Sequence, residues 1–342
     1  MNRRRPKPKP RRTIAERETA ASQQTTSLPD AILQQHIFSS IPTKLAIRTS
    51  VLSKRWRHVW SETPSLSIDC HRSESDPESV NLTLARHYSS PKITSFHLAI
   101  SCKARRNIDN LIEFAMSRNT EKLSLDFHES YTGAYSFPDS FYASCSLNQL
   151  LLESATIDSI PTTVSWTSLK TLSLMGCVLS DESCAKILSG SPLLECLTLY
   201  CGELERLDLS KSPRVKSLDV EILEPVMEIV APHVHRLRLS HSDESKCSLG
   251  DVSSLTEARL NIRCSKRLGF MFDDFGDPET GFANSLQVMV LETLVKLQNV
   301  EKLTLSLQDA RSVVSPTTCI GKAWKRVNVG NRRVWTCLSR NS

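Results

Sequence analysis

Apolar residues recur along most of this chain with the spacing L-x-x-L-x-L, in which other apolar residues can replace leucine. The fullest copy runs from Leu169 through Leu172 and Leu174 to Cys177. The copies start at Ile93, Thr120, Leu147, Leu169, Leu194, Leu204, Val215, Val234, Leu255 and Val300. Most gaps between starts are close to the roughly 20–29 residues of a leucine-rich repeat. The pattern therefore predicts one short strand per copy, with its leucines in the core.

Two gaps depart from this period. Leu204 lies 10 residues after one start and 11 before the next, and the two gaps sum to one repeat. It therefore predicts an extra strand-like turn inside a single repeat. The gap of 45 residues between Leu255 and Val300 predicts either a degenerate unit or a loop around the acidic stretch from Asp273 to Gly281.

Helical patterns separate several of the predicted strands. Ile108, Leu111, Ile112 and Ala115 share one helical face, and Ser180 can cap a second helix. Alternating helices and parallel strands predict an α/β fold, a curved leucine-rich-repeat solenoid. The alternative is a doubly wound α/β domain. That fold needs Gly-rich strand-to-helix turns, and ten glycines in 342 residues disfavour it.

A purely helical pattern occupies residues 28–60. Pro29 fits a first helical turn, and Pro42 should end that helix. Thr43 and Ser53 can cap a second and a third helix, the third of which carries Trp56. So short a unit buries little core and keeps much apolar surface, which predicts an interface with another protein. Packing on the rest of its own chain is the alternative.

This segment resembles the F-box of plant F-box/leucine-rich-repeat proteins of the FBD-type group, through the runs LPD, IPTKLAIRTSVLSKRW and RHVW. The similarity continues through the repeats to about Leu305. The resemblance implies that the helices dock on the Skp-type adaptor of a cullin ubiquitin ligase. The side chains expected at that interface are those of Leu28, Pro29, Ile32, Leu33, Ile37, Ile41, Pro42, Leu45, Val51, Leu52 and Trp56.

The chain departs from the family pattern in the first helix. Ala31 stands where the family usually has an acidic residue, and the stretch around Gln34 and Gln35 is one residue longer. An inserted residue rotates the rest of an α-helix by about 100°. The stripe of Leu33 and Ile37 survives this, but the register of the helix against the adaptor is expected to change.

Residues between the buried leucines should line the concave face of the solenoid, because side chains alternate along a strand. In the earlier repeats these positions are small and polar, as at Ser124, Ser173 and Thr198. In the later repeats they are charged. The candidate target-binding residues are Arg206, Asp208, Asp219, Glu221, Arg236, Arg238, Glu257 and Arg259. Mixed charges on a stiff scaffold predict recognition of a polar protein surface, and a plain solvated face is the alternative.

Positive charge is concentrated at the two ends of the chain. Residues 1–12 carry seven basic side chains and residues 321–342 carry six, with no acidic residue in either. Of 43 basic residues, 43 − 13 = 30 remain against 37 acidic ones, a charge of −7 for the body. This argues against a nucleic-acid-binding core, while the basic head is either a solvated tail or a nuclear-localisation or polyanion-binding patch.

We divide the chain into four parts. We expect residues 1–26 to be a basic disordered tail, 27–65 the helical F-box module, 66–308 the solenoid and 309–342 a divergent basic tail. We expect no repeat and no ordered solenoid cap in the last part.

Composition and motifs exclude several kinds of site from the expected chemistry of this chain. The eleven cysteines form no C-x-x-C pair, which indicates reduced thiols in the nucleus and/or cytoplasm. No run approaches the roughly eighteen apolar residues of a membrane span. His233 and His235 have no Cys or acidic residue at ligand spacing, so we predict no metal site. Phosphate-binding, metalloprotease and serine-hydrolase motifs are missing, so we predict a non-catalytic protein without a cofactor.

The resemblance, together with the repeat pattern, implies the substrate-recognition subunit of an SCF-type (Skp/cullin/F-box) E3 ubiquitin ligase. The F-box would hold the adaptor and, through it, a cullin, while the repeats hold an unidentified target protein. Its chemical contribution would be to hold a lysine of the target protein near the ubiquitin carrier. An adaptor-independent leucine-rich-repeat scaffold is one alternative, and a nucleic-acid-associated protein acting through the basic ends is another. We expect neither a membrane nor a specific nucleic-acid partner.

Overall fold

A computed structural model describes the fold of most of the chain. The described residues are 28–53, 55–70, 77–100, 108–127, 135–157, 160, 163–222, 226–242, 246–263, 290, 292–308, 324–329 and 332–338. The predicted tail at 1–26 and the acidic stretch at 273–281 lie outside these ranges.

Most of the strands form a single sheet in which parallel neighbours follow chain order. Its strands are β1 (Ser65–Cys70), β2 (Ser95–Ile100), β3 (Lys122–Asp126), β4 (Gln149–Glu153), β5 (Thr171–Val178), β6 (Cys196–Gly202), β8 (Ser217–Ile222), β10 (Arg236–Ser242), β12 (Glu257–Arg263) and β13 (Lys302–Gln308). The antiparallel β15 (Arg332–Leu338) and β14 (Trp324–Val329) follow β13. A doubly wound sheet reverses its strand order at a switch point, and this order does not reverse.

The predicted repeat spacing places equivalent leucines side by side. Leu172 of β5 pairs in register with Leu197 of β6, which pairs with Leu218 of β8. All three side chains are buried. The prediction of an α/β leucine-rich-repeat fold is confirmed, because each strand contributes the same apolar positions to one continuous core.

The extra template at Leu204 belongs to a different sheet. Its strand β7 (Arg206–Asp208) pairs with β9 (Val226–Val230), which pairs with β11 (Lys246–Leu249). This confirms an extra strand-like turn inside one repeat. The strands β9 and β11 were not predicted, because the first position of the L-x-x-L-x-L spacing is occupied by Glu224 before Met227 and by Glu244 before Cys247.

One repeat lies earlier than predicted. Strand β1 pairs in parallel with β2 and buries Leu66 and Ile68. Together with the buried Thr63 these residues follow the same spacing, with threonine at the first position. The sequence analysis placed Thr63 in the helical F-box module at 27–65, so this repeat was not identified.

The later part of the sheet differs from expectation in two ways. Strand β12 pairs directly with β13, so the segment that produces the 45-residue gap adds no strand between them. Beyond β13, the backbones of β15 and β14 continue the sheet as an antiparallel pair. The expectation of no ordered cap is wrong for these strands, because backbone hydrogen bonds extend a sheet without any leucine repeat.

Helices connect several of the strands. They are α4 (Pro77–His87), α5 (Ile108–Ser117), α6 (Asp139–Tyr142) and α7 (Asp181–Ser189). The predicted apolar face of α5 is buried, and the Ser180 side chain caps α7 by accepting a hydrogen bond from the Ser183 amide at 3.2 Å.

The N-terminal module contains three helices. The first, α1, consists of α-helical Asp30–Ile32, π-helical Leu33–Ile37 and 3₁₀-helical Phe38–Ser40. The others are α2 (Thr43–Thr49) and α3 (Trp56–Val59). The 3₁₀ turn Trp60–Glu62 then leads into β1.

This module closes one edge of the sheet. Leu33, Phe38 and Trp60 are buried in the same apolar core as Leu66 of β1. The Ser67 amide of β1 donates a hydrogen bond to the Thr43 hydroxyl at 2.9 Å. The module therefore covers the free edge of β1, which would otherwise expose unpaired backbone groups.

Replacing Thr43 by valine is expected to lower the free energy of unfolding by about 1–3 kcal/mol, because the Ser67 amide loses its partner. Urea unfolding with an unchanged denaturant slope measures this. Thr83→Val is the matched control, because that hydroxyl donates to the Ser79 carbonyl of its own helix. Equal effects of the two substitutions would contradict a capping role for Thr43.

Candidate functional site

An exposed apolar patch lies on the N-terminal module. Five large aliphatic side chains of the module are exposed to solvent, and they belong to Ile32, Ile37, Leu45, Val51 and Leu52. Val51 is 83% exposed and Leu52 is 74% exposed. We call these five residues the N-terminal apolar patch. A cluster of this kind on a small module marks a surface that another molecule covers.

A π-helical turn determines which side chains of α1 face outward. The Phe38 amide donates to the carbonyl of Leu33, five residues earlier, in addition to that of Gln34. In an α-helix, residues five apart differ by about 140° in direction, because each residue turns the chain by about 100°. Here Ile32 and Ile37 are both exposed, while Leu33 and Phe38 are both buried.

The π-turn spans the site of the extra residue at Gln34 and Gln35. A π-bulge accommodates one additional residue within a helix. The expected rotation of the remaining helix is therefore absorbed locally, and the exposed pair Ile32 and Ile37 is kept together. This turn could not be read from the sequence, since its hydrogen bonds depend on the burial of Leu33 and Phe38.

The other residues predicted at this surface occupy different positions. Pro29 and Pro42 are exposed. Leu28, Ile41 and Trp56 are half-buried against the core. Leu33 is 1% exposed, so the structure removes it from the candidate surface and assigns it to the core.

Arg55 links the first and third helices of the module. Its Nε donates to the Asp30 carboxylate at 2.7 Å, and its Nη2 donates to the Leu28 carbonyl. The sequence analysis did not identify this role for Arg55. The pairing holds the residues on either side of the N-terminal apolar patch in fixed relative positions.

The second candidate surface is the outward face of β6, β8, β10, β12 and β13, which we call the polar sheet face. Here Asp219 accepts from Arg238 at 3.2 Å across the β8–β10 pair. Glu221 pairs with Arg263, which reaches over β10 from β12. These links join three strands through their side chains.

Glu257 forms a second group of ion pairs on this face. It lies 3.0 Å from Arg259 on its own strand and 3.1 Å from Lys302 on β13. Hydrogen bonds from Lys302 and Arg259 lower the pKa of the Glu257 carboxyl, so it stays ionised. Burial, in contrast, raises the pKa of Asp219, and Arg238 opposes that effect. Arg263 and Lys302 were not among the predicted residues.

Two of the predicted concave-face residues lie elsewhere. Arg206 and Asp208 belong to β7 in the three-stranded sheet, where Arg206 pairs with Asp208 and with Glu228 of β9. Their placement on the same face as Asp219 is therefore corrected. The physical reason is the short 10-residue gap, which leaves the Leu204 template inside a repeat rather than at the start of one.

Metal-ligand clusters and ionised thiols are two kinds of reactive group to consider among the described residues. No three His, Cys, Asp or Glu side chains among them come together in a way that could hold a metal ion. Burial raises the pKa of the Cys177 thiol to about 11 and those of Cys184 and Cys247 to about 12. These thiols are protonated at neutral pH and are therefore poor nucleophiles. No described helix is long and apolar enough to cross a membrane.

Known proteins share this combination of module and repeats. A sequence profile described as the At1g61320/AtMIF1 LRR domain matches residues 84–273. The chain is 54% identical over 286 residues to the F-box/LRR-repeat protein At5g02910 of Arabidopsis thaliana, covering 82% of this chain and 59% of that protein. It is 49% identical over 284 residues to the F-box protein At5g03100 of the same plant, and this alignment covers 82% of this chain and 87% of that protein.

A third relative, F-box/LRR-repeat protein 25 of Arabidopsis thaliana, is 50% identical over 237 residues, which cover 67% of this chain and 89% of that protein. Several relatives are longer. The aligned region covers 59% of At5g02910, 60% of At5g02930 and 59% of At3g18150.

Proposed function

Because this chain belongs to the F-box/LRR-repeat family, we propose that it is the substrate-recognition subunit of a Skp/cullin/F-box ubiquitin ligase. The N-terminal module binds a Skp-type adaptor, which connects it to a cullin, and the repeats bind a target protein. Ubiquitin transfer takes place at active sites on other subunits. The contribution of this chain is to hold the target close to the transferring enzyme.

The N-terminal apolar patch carries this proposal. Its five side chains lie within residues 32–52 of a module whose other Leu, Ile, Phe and Trp side chains pack in or against the core. Covering them removes aliphatic surface from water, which is the main favourable term in protein association. The adaptor-binding residues are therefore the five patch residues, with Pro29 and Pro42 exposed beside them and Leu28, Ile41 and Trp56 supporting them from the half-buried side.

The rigid connection between module and sheet supports the same role. The F-box and the first repeat share one core and the hydrogen bond between Thr43 and Ser67. A target on the repeats is consequently held at a fixed position relative to an adaptor on the F-box. The proposed site of action is the nucleus and/or cytoplasm, which a fluorescent fusion of the full chain would test.

The test is a pull-down of the purified chain with a purified Skp-type adaptor. We expect a complex that persists at high salt, because salt screens charges but does not weaken apolar burial. A folded chain that does not bind the adaptor would favour the alternative, a leucine-rich-repeat scaffold that acts without it.

Deleting Gln35 is expected to leave adaptor affinity within about threefold of the wild type. The deletion turns the π-turn into a regular α-helical turn, in which Ile32 and Ile37 become four residues apart and still share a face. Titration of the adaptor against both chains measures this, with thermal melts as the check on folding. A large loss of affinity in a folded deletion variant would show that the π-turn itself is required.

A further inference from the structure

The polar sheet face carries more positive than negative charge. On the described parts of β8, β10, β12 and β13, five cationic side chains point outward alongside three carboxylates. The cations are Arg236, Arg238, Arg259, Arg263 and Lys302, and the carboxylates are Asp219, Glu221 and Glu257.

Each of these carboxylates is already paired with a cation. Asp219 pairs with Arg238, Glu221 with Arg263, and Glu257 with both Arg259 and Lys302. Among the described residues of these four strands, Arg236 is the one cation outside this network. It is exposed and lies in register between Ser217 and Glu257.

More positive charge adjoins Arg236 at the N-terminal ends of the strands. The Arg236 amide donates to the Lys216 carbonyl at 3.0 Å, so the two residues are direct neighbours. Arg214 is exposed in the turn that precedes Lys216. Two acidic residues adjoin this row: Glu257 lies in register beside Arg236, and the Glu195 carbonyl accepts the Lys216 amide at 2.9 Å. Arg214, Lys216 and Arg236 form what we call the basic edge.

We propose that the basic edge binds an acidic segment of the target protein, with Arg236 as its anchor. This inference rests on the proposed function, since it names the chemistry of the target. An incoming carboxylate can accept two hydrogen bonds from the Arg236 guanidinium without breaking an internal ion pair. Binding at Arg238 or Arg259, in contrast, would compete with Asp219 or Glu257.

A peptide fits this surface better than a nucleic acid does. Three carboxylates share the face with the basic edge, and they repel the continuous phosphate charge of DNA or RNA. A peptide can place single carboxylates against the cations and neutral side chains against Glu257 or Glu195.

The test uses the full chain and two labelled peptides, one of alternating glutamate and serine and one of alternating lysine and serine. Fluorescence anisotropy is expected to show binding of the glutamate peptide and not of the lysine peptide. Arg236→Glu should weaken the glutamate peptide about tenfold, because an attraction becomes a repulsion.

Lys122→Glu is the matched control for this substitution. Lys122 is an exposed cation at the same strand position on β3, far along the sheet from the basic edge. We expect that variant to bind the glutamate peptide within about twofold of the wild type. Arg238→Glu is unsuitable, because it would break the ion pair between Arg238 and Asp219.

Three results would overturn the inference: equal binding of both peptides or of neither, equal effects of Arg236→Glu and Lys122→Glu, or tighter Arg236-dependent binding of a DNA duplex. Adaptor pull-down with Arg236→Glu separates this question from the proposed function. Retained adaptor binding with lost peptide binding supports both. Peptide binding by a chain that never binds the adaptor would refute the ligase role and leave the basic edge as part of a scaffold.

Discussion

Replacing Leu52 by aspartate is expected to lower adaptor affinity at least about thirtyfold, a loss of about 2 kcal/mol or more. Leu52 is 74% exposed and lies beside Val51 in the N-terminal apolar patch. The substitution removes an aliphatic side chain from the contact and forces a carboxylate to lose its water there. Because Leu52 contributes little to the core, the folded chain should keep its stability.

Leu82→Asp is the control for this experiment. Leu82 is 47% exposed on α4, outside the patch, so its replacement changes charge and hydrophobicity without touching the F-box. Calorimetric titration of purified adaptor against each variant gives the affinities, and circular dichroism gives the folded fraction. Wild-type affinity in the Leu52 variant would exclude this patch as the adaptor site.

Leu52 is a better test position than Leu28, although Leu28 heads the family motif. Leu28 is half-buried, and its carbonyl accepts a hydrogen bond from Arg55. Changing it would disturb the link between the first and third helices as well as any interface. The loss of binding would then have two explanations.

Replacing Trp166 by alanine is expected to lower the free energy of unfolding by about 3–5 kcal/mol. Trp166 is 1% exposed, stacks on Tyr142 with ring centroids 6.1 Å apart and meets Phe141 edge-on at 5.4 Å. Its indole Nε1 donates to the Phe141 carbonyl at 2.7 Å. Alanine would leave a cavity among aromatic rings and a buried carbonyl without its partner.

Trp166→Phe separates these two contributions. Phenylalanine keeps an aromatic ring against Tyr142 but cannot donate to the Phe141 carbonyl. We expect a loss of about 1–3 kcal/mol, smaller than that of the alanine variant. Chemical denaturation of both variants measures the difference. A stability change below about 0.5 kcal/mol in Trp166→Ala would be typical of a surface position and would contradict the packing described.

The repeats were predictable because leucine spacing and strand geometry express the same period. A residue such as Leu172 must pair with its counterpart one repeat later, since otherwise its side chain would not be buried. The repeat of β1 was missed because Thr63 was placed in the helical module at 27–65. The placement of Arg206 was wrong because alternation along a strand does not reveal which sheet the strand joins.

The candidate surfaces were predictable in position but not in detail. The sequence places Ile32, Leu33 and Ile37 in one interface helix, and only the π-turn separates buried Leu33 from its exposed neighbours. Charged residues on the later strands were identified as a group. Their partition into internal ion pairs and the basic edge depends on side chains from strands up to 42 residues apart in the chain.

The sequence by itself determined that this protein has a short helical module followed by parallel leucine-rich repeats, because local spacing dictates which side chains can be buried together. Tertiary structure alone decided which apolar side chains remain exposed and which charges remain available. Leu33 and Ile37 share one apolar stripe in the sequence, and Arg236 and Arg238 share one charged row. Each pair differs in the folded chain because long-range neighbours bury Leu33 and neutralise Arg238.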